Sequence, residues 1–540
     1  MVSAENCGKI FSMPVTNVPL ANGTSMRGVQ VEVGSSGQLL AMVPTFASNN
    51  TLVYDNQGQC DKGLTQAQCS TFRGGLFDSN NSTTYEAVAS MSAAGVDASD
   101  TFVNATSDIW STDMFHFTSN ISSKVAFGIR RVNTDIDKYY LDQHILGVGA
   151  NSTLLSMLKE AGAIASRSWS MYWGNSGAPE TQRDGVFVFG GYDSTKVTGK
   201  NYTFPLTYDS SCETGMVVSI TDLELTFPNG TTADLFQAAS TSLKACLVPD
   251  YPVLLTIPRD PYWENLQLAA DVLDVPEQHT TGLNFWGETF SSEYYLDFGM
   301  SISLQSGPSI SITNSQVVQP DATILSNGMI NYNSTLNEVN IIPLQQMNEN
   351  DIVKLGRQFL SGAYLMVNED AGTFTLWETP AIDTSDGNLV AVDAQGQVFS
   401  PTCASATSNN TTPGSTESAS VSASASASAS KTSIGTIVGP VVGGIAGLGL
   451  LVGLGVFLWK RSRKNKAIGA TGSGAYVHDT DEKAIPLYDY STAETTNSMY
   501  ELRGKPVRAP VNELSGEISP TEKKKTPTAT SGVHELGDSY

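Results

Sequence analysis

Residues Gly185–Asp193 read GVFVFGGYD: four consecutive β-branched or aromatic residues closed off by a glycine pair. That is the signature of a short buried strand followed by a tight turn. Outward from it the same texture recurs in ISLQSGPSISITNSQVV (302–318) and AYLMVNEDAGTFTLW (363–377), and helical periodicity is confined to short pieces such as Leu154–Ala165. From Val15 to Thr402 the chain therefore reads as all-β, and it is too long for one small sandwich, so two lobes are expected.

Past this region the composition changes. Ala404–Thr432, ASATSNNTTPGSTESASVSASASASASKT, has side chains too small to offset the entropy of folding, and reads as an O-glycosylated stalk. Ile434–Trp459 is a 26-residue run without a charge, long enough as a helix to span a hydrocarbon core of about 30 Å. Lys460, Arg461, Arg463, Lys464 and Lys466 follow at once, a cluster expected to stay cytoplasmic. Residues 460–540 then form a disordered tail with three echoes, Tyr500-Glu-Leu-Arg-Gly, Asn512-Glu-Leu-Ser-Gly and His534-Glu-Leu-Gly-Asp, which read either as a repeated docking motif for cytoplasmic partners or as coincidence. Gly435, Gly439, Gly443 and Gly447 line one face of the span, where a second copy could approach to form a helix-mediated homodimer, or serve only as filler.

Other signals agree with an outward-facing N-terminal part. Asn-X-Ser/Thr occurs at Asn22, Asn49, Asn80, Asn81, Asn104, Asn120, Asn151, Asn201, Asn229, Asn333, Asn409 and Asn410, all before the span. All six cysteines lie there as well. Cys60 and Cys69 can close a small loop, and Cys7, Cys212, Cys246 and Cys403 leave three pairings open. The opening MVSAENCGKIFSMPV has no basic n-region or long apolar core, so secretory entry is expected from an upstream segment or from the membrane helix itself. Up to Trp459 there are 42 acidic and 18 basic side chains, which argues against nucleic acid as a partner. No cysteine or histidine spacing suggests a metal, and no cofactor is expected.

Four segments carry a family resemblance. Gly75-Leu-Phe-Asp-Ser-Asn-Asn-Ser-Thr-Thr-Tyr85 is similar to F-D-P-S-x-S-S-T-Y, and Ile145-Leu-Gly-Val-Gly149 to I-L-G-L-G. Gly185–Asp193 is similar to G-x-L-x-F-G-G-x-D, and Lys354–Asp370, KLGRQFLSGAYLMVNED, to I-L-G-D-x-F-L-R-x-x-Y-x-V-x-D. In this order they resemble the pepsin-like aspartic peptidases, especially fungal cell-surface members. The resemblance implies a bilobal acid-protease fold, with an N-terminal extension at 1–25, lobes at 26–205 and 206–403, the stalk at 404–433, the span at 434–459 and the tail at 460–540.

The resemblance also implies two D-T/S-G turns whose facing aspartates share a proton and activate a water. The first falls in VGSSGQLLAMVPTFASNNTLV (33–53), where the turn is Thr45-Phe46-Ala47. A threonine hydroxyl can hold a water but cannot share a carboxyl proton. The second falls in Ala245–Pro258, ACLVPDYPVLLTIP; counting back from Pro258 puts Pro249 at the catalytic position, and a one-residue shift puts Asp250 there. Neither turn is intact. No Y-G-T-G-S flap follows the first turn; Trp110 in that region is read as packing, and Asp97, Asp100, Asp108 and Asp113 as solvated loop carboxylates.

The function expected is a silent peptidase-like glycoprotein on the cell surface or another secretory membrane, binding an extended peptide, a glycoprotein or a wall component between its lobes. The alternatives are an active membrane-anchored acid endopeptidase, and a sensor that signals through its tail.

Overall fold

The computed structural model describes residues 9–58, 60, 63–100, 108–131, 143–236, 241–272, 277–278, 288–294, 296–345, 348–381 and 387–399. These are mostly strands with few helices, consistent with an all-β pepsin-like fold. The proposed stalk, span and tail lie outside them, and among the described residues no helix is long and apolar enough to cross a membrane.

A thirteen-stranded sheet dominates. At its centre Phe11–Pro19 pairs antiparallel with Ser25–Val33 on one side and with Gly185–Phe189 on the other, in the register Val15↔Val29 and Phe11↔Phe189. Phe11, Met13, Val15 and Val18 are buried along it. This corrects the expected N-terminal extension: from Phe11 onward the chain is a core strand, because its alternating apolar residues fill the sheet's inner face. Ala363–Asn368 pairs with Ser168–Tyr172 and Thr373–Glu378 with Thr198–Pro205, so the end of the supposed second lobe completes the sheet begun by the first.

The expected helix at Leu154–Ala165 is present as Thr153–Glu160. Ser152 caps it by accepting a hydrogen bond from Leu155 N at 3.1 Å, its inner face buries Leu154, Leu155 and Leu158, and the chain leaves it at Gly162 with φ of 74°.

A second, eight-stranded sheet holds Val217–Thr226, Leu243–Leu247, Leu255–Pro258 and Val353–Leu355 among its members. Disulfides join Cys60 to Cys69 and Cys212 to Cys246, selecting one of the pairings left open; Cys7 and Cys403 lie outside the described residues. Of the glycan acceptors, Asn22, Asn80, Asn81, Asn120, Asn151, Asn201 and Asn229 are exposed, Asn49 and Asn333 are half-buried, and Asn104, Asn409 and Asn410 lie outside the described residues.

Candidate functional site

Each of the two sheets contains the same small construction. In the first, strand Gln38–Thr45 runs parallel to His144–Gly147, with Val43 opposite Ile145 and Thr45 opposite Gly147. The chain then turns through Phe46–Asn50 and returns as Thr51–Tyr54 on the other side of His144–Gly147. In the second, Leu243–Leu247 runs parallel to Val353–Leu355, with Leu247 opposite Leu355, and Leu255–Pro258 returns on the other side.

A glycine marks the same point in each. A Cβ on Gly147 would lie 2.4 Å from Asn50 O, and one on Gly356 would lie 2.1 Å from Val253 O, so both crossing strands need glycine where the returning turn passes over them. Matching Gly147 to Gly356 and Asn50 to Val253 puts Val248 at the position of Thr45. Followed instead from the returning strands, where Leu52 faces Ile145 and Leu255 faces Leu355, Asn50 and Leu254 lie opposite the two glycines and Pro249 takes the position of Thr45, the register counted back from Pro258; the second turn is thus one residue longer than the first, and Asp250 lies beyond both matched positions. Pro249 and Pro252, which have no N–H, stand in this longer second turn.

Neither matched position carries an ionisable group. Thr45 is fully buried, and its hydroxyl donates to Val43 O at 3.1 Å. Val248 N donates to Leu355 O at 2.8 Å, extending the ladder into the turn. Asp250 is fully buried.

A carboxylate does organise the first turn, from behind. Asp100 Oδ2 accepts from Asn49 N at 2.8 Å, Asn50 N at 2.9 Å and Asn50 Nδ2 at 3.1 Å, and lies 3.1 Å from Ser48 Oγ. Asp97 accepts from Asn49 Nδ2 at 2.7 Å. The expectation of solvated loop acids is corrected here: Asp100, Asp108 and Asp113 are all buried. Asp108 pairs with Arg130 at 3.4 Å, and Asp113 accepts from Ser82 Oγ and Thr84 Oγ1. Each thus meets polar partners in its buried place, though Oδ2 of Asp113 has none among the described residues. Trp110 is buried in a small cluster with Leu52, Met91, Val96 and Ile145.

Where the two turns converge, Ala47 and Val248 line one cavity of about 440 Å³. Its other walls include Glu213, Thr214, Asp351 and Lys354, none of which stood out in the sequence because nothing local marks them. Lys354 Nζ sits 4.9 Å from the Tyr251 ring centroid, and burial together with the Asp351 charge pushes the Tyr251 hydroxyl up to about 12. Beside the first turn Phe46 stacks on Tyr208, whose hydroxyl donates to Glu369 at 2.9 Å. Burial raises the Glu369 carboxyl to about 7. His144, the first residue of the first crossing strand, is pulled down to about 3 by burial and by the Arg73 charge, and its Nδ1 accepts from Tyr54 N at 3.1 Å.

The site thus offers a partly polar cavity with separated charges and fixed turns, but no facing carboxylate pair at the matched turn positions.

Comparison with known proteins places these features. Residues 28–247 match the family model for eukaryotic aspartyl proteases, and the match stops one residue before Val248. Candidapepsin-2 of Candida parapsilosis is 27% identical over 191 residues, which is 34% of this chain and 42% of that protein. The matched region thus spans less than half of that relative's length. Both findings support a pepsin-like aspartic-protease relationship for this part of the chain.

Proposed function

We propose that this chain is a catalytically silent aspartic-protease-like glycoprotein, in which the cavity between the two turns binds an extended peptide, a glycoprotein or a wall component. The observation that supports this reading is that Thr45 carries no carboxyl group and neither do the positions that match it in the second turn, Val248 from the incoming strand and Pro249 from the returning one. A cavity needs only shape, apolar contact and backbone hydrogen bonds to hold a ligand, so loss of chemistry does not entail loss of binding.

The surface location is part of the proposal. It draws on the uncharged run at 434–459, the basic cluster after it and the sequons confined to the N-terminal side. On this reading the N-terminal part faces outward, one helix holds it in a secretory membrane, copies could pair through the glycine face of that helix, and the tail could carry contact inward to cytoplasmic partners.

The test is cleavage of a diverse peptide library between about pH 3 and 7 by the purified glycosylated protein, with Asp250→Ala beside it. No cleavage by a protein that melts cooperatively upholds the silent reading. Cleavage abolished by Asp250→Ala would establish the alternative, an active membrane-anchored acid endopeptidase.

A further inference from the structure

Away from the converging turns lies a second cavity of about 60 Å³. On the same kind of measure a single water needs about 10–15 Å³, so this one has room for a small organic group. Its walls come from distant parts of the chain: Arg27 on the strand Ser25–Val33, Trp173, Ile330, Tyr332 and Arg357 among them.

Charge is what sets it apart. In a chain with a net charge of −23, this cavity is lined by two arginines and by no acid among the described residues. Both guanidinium groups lie against the buried indole of Trp173, with Arg27 Cζ 5.7 Å and Arg357 Cζ 5.1 Å from the ring centroid. Arg357 also stands where the I-L-G-D pattern of the resembled family carries an acid.

Arg27 is incompletely satisfied. One of its terminal nitrogens donates to Trp173 O at 2.6 Å and to Arg183 O at 2.7 Å, but Nε is shielded from solvent and has no hydrogen-bond partner among the described residues. Asp184 attracts it at a distance, is held by Thr16, and makes no ion pair with it among the described residues. Burial pulls the Arg27 guanidinium down to about 10, the direction expected of a cation that lacks a close counter-charge. The remaining walls include Met26, Ala322 and Ile330. An oxyanion with four exposed oxygens would waste that apolar surface, whereas one carboxylate on a short aliphatic body uses both halves.

We infer that this cavity is a binding site for a small organic carboxylate, with the carboxylate between Arg27 and Arg357 and its apolar body against Met26, Ala322 and Ile330. It is independent of the cavity between the turns, so neither reading depends on the other. Because Arg27 and Met26 come from the large sheet while Ala322 and Ile330 lie on the strands Val318–Ile324 and Ile330–Val339 of another sheet, occupancy would tie the two together.

The test is calorimetric titration of the full-length chain in detergent micelles with N-acetyl-leucine, N-acetyl-leucinamide, inorganic phosphate and a peptide ending in a free leucine carboxylate. N-acetyl-leucine should saturate with a Kd on the order of 1 mM, and the amide should bind at least about tenfold more weakly. Arg27→Gln and Arg357→Gln should each weaken the acid about tenfold. Binding of the peptide as well would identify a chain terminus as a source, and binding of the free acid alone a small metabolite; both uphold the proposal. Equal binding of acid and amide, binding of phosphate alone, or no saturation by folded protein would overturn it. Should Arg27→Gln fail to fold, Ala322→Leu, which fills the opposite wall, must abolish binding while melting cooperatively; unchanged binding by that variant would overturn the proposal equally.

Discussion

Thr45 ends the strand Gln38–Thr45 and Val248 directly follows the strand Leu243–Leu247, each beside a crossing strand whose glycine, Gly147 or Gly356, lets the returning turn pass over it. The two positions are thus built by one backbone device repeated in two sheets.

A first prediction concerns Thr45 itself. Its hydroxyl only donates to Val43 O, so Thr45→Val, which keeps the branched shape, should cost about 1 kcal/mol or less. Thr45→Asp puts a carboxyl in a fully buried position and should cost about 3 kcal/mol at pH 7, less at pH 4 where it is neutral. Thermal melting of the two variants at both pH values checks this; equal melting of Thr45→Asp at pH 4 and 7 would show that the position is not enclosed.

Asp100 should prove the main support of the first turn. Asp100→Ala leaves the Asn49 and Asn50 amides without their acceptor, and the loss should be about 2–4 kcal/mol, read from denaturant unfolding. Asp97→Ala, which removes a single side-chain partner, should cost about 1 kcal/mol.

These two acids also mark the limit of what the chain announces in its sequence. The strands were legible because runs such as GVFVF are dense in residues that fit a pleated surface, and the first turn was legible because Val33, Gly34, Gln38 and Ser48 surround it at the expected spacing. Asp100 looked like a loop acid because its partners, Ser48 and the two asparagines, reach it only through folding. The second turn is harder to read for a different reason: its incoming and returning strands give registers one residue apart, Val248 and Pro249, against a partner strand, Val353–Leu355, that lies far along the chain. The approach of Arg27 and Arg357 to one indole is likewise a tertiary fact with no local signature.

Glu369 and His144 should pull stability in opposite directions with pH. The Glu369 carboxyl is raised to about 7, so the folded state binds its proton more tightly than the unfolded chain does. Its contribution is complete below the unfolded value of about 4.5 and is lost as pH rises through about 7. Glu369→Gln should remove that loss, raising stability at pH 8 relative to pH 4 by about 1–3 kcal/mol compared with the unsubstituted chain. Melting curves across that range decide it, and parallel curves for the two proteins would refute the assignment.

For His144 the sign reverses. Its folded value is pulled down to about 3, so the unfolded state binds the proton more readily; the contribution is complete above about 6.5 and is lost as pH falls toward 3. His144→Gln should therefore flatten the acid limb, melting closer to its pH 7 value at pH 4 than the unsubstituted chain does. If both proteins lose the same stability between pH 7 and 4, His144 is not held neutral.

Glycan mapping tests the proposed orientation and the local packing together. Mass spectrometry of glycopeptides from a eukaryotic secretory host should find occupancy among Asn22, Asn80, Asn81, Asn120, Asn151, Asn201 and Asn229, whose side chains are exposed. At Asn229 the side-chain oxygen accepts from Thr231 N at 2.9 Å and from its hydroxyl at 2.7 Å, which turns the amide nitrogen outward. Asn49 should be empty although its sequon is intact. Its Nδ2 donates to Asp97 and its Oδ1 accepts from Asn151 N at 3.0 Å, so a glycan there would have to break the bonds that brace the first turn. A glycan on Asn49 would show that the turn is open when the chain is modified, and an unmodified chain from a secretory host would reject the outward-facing reading altogether.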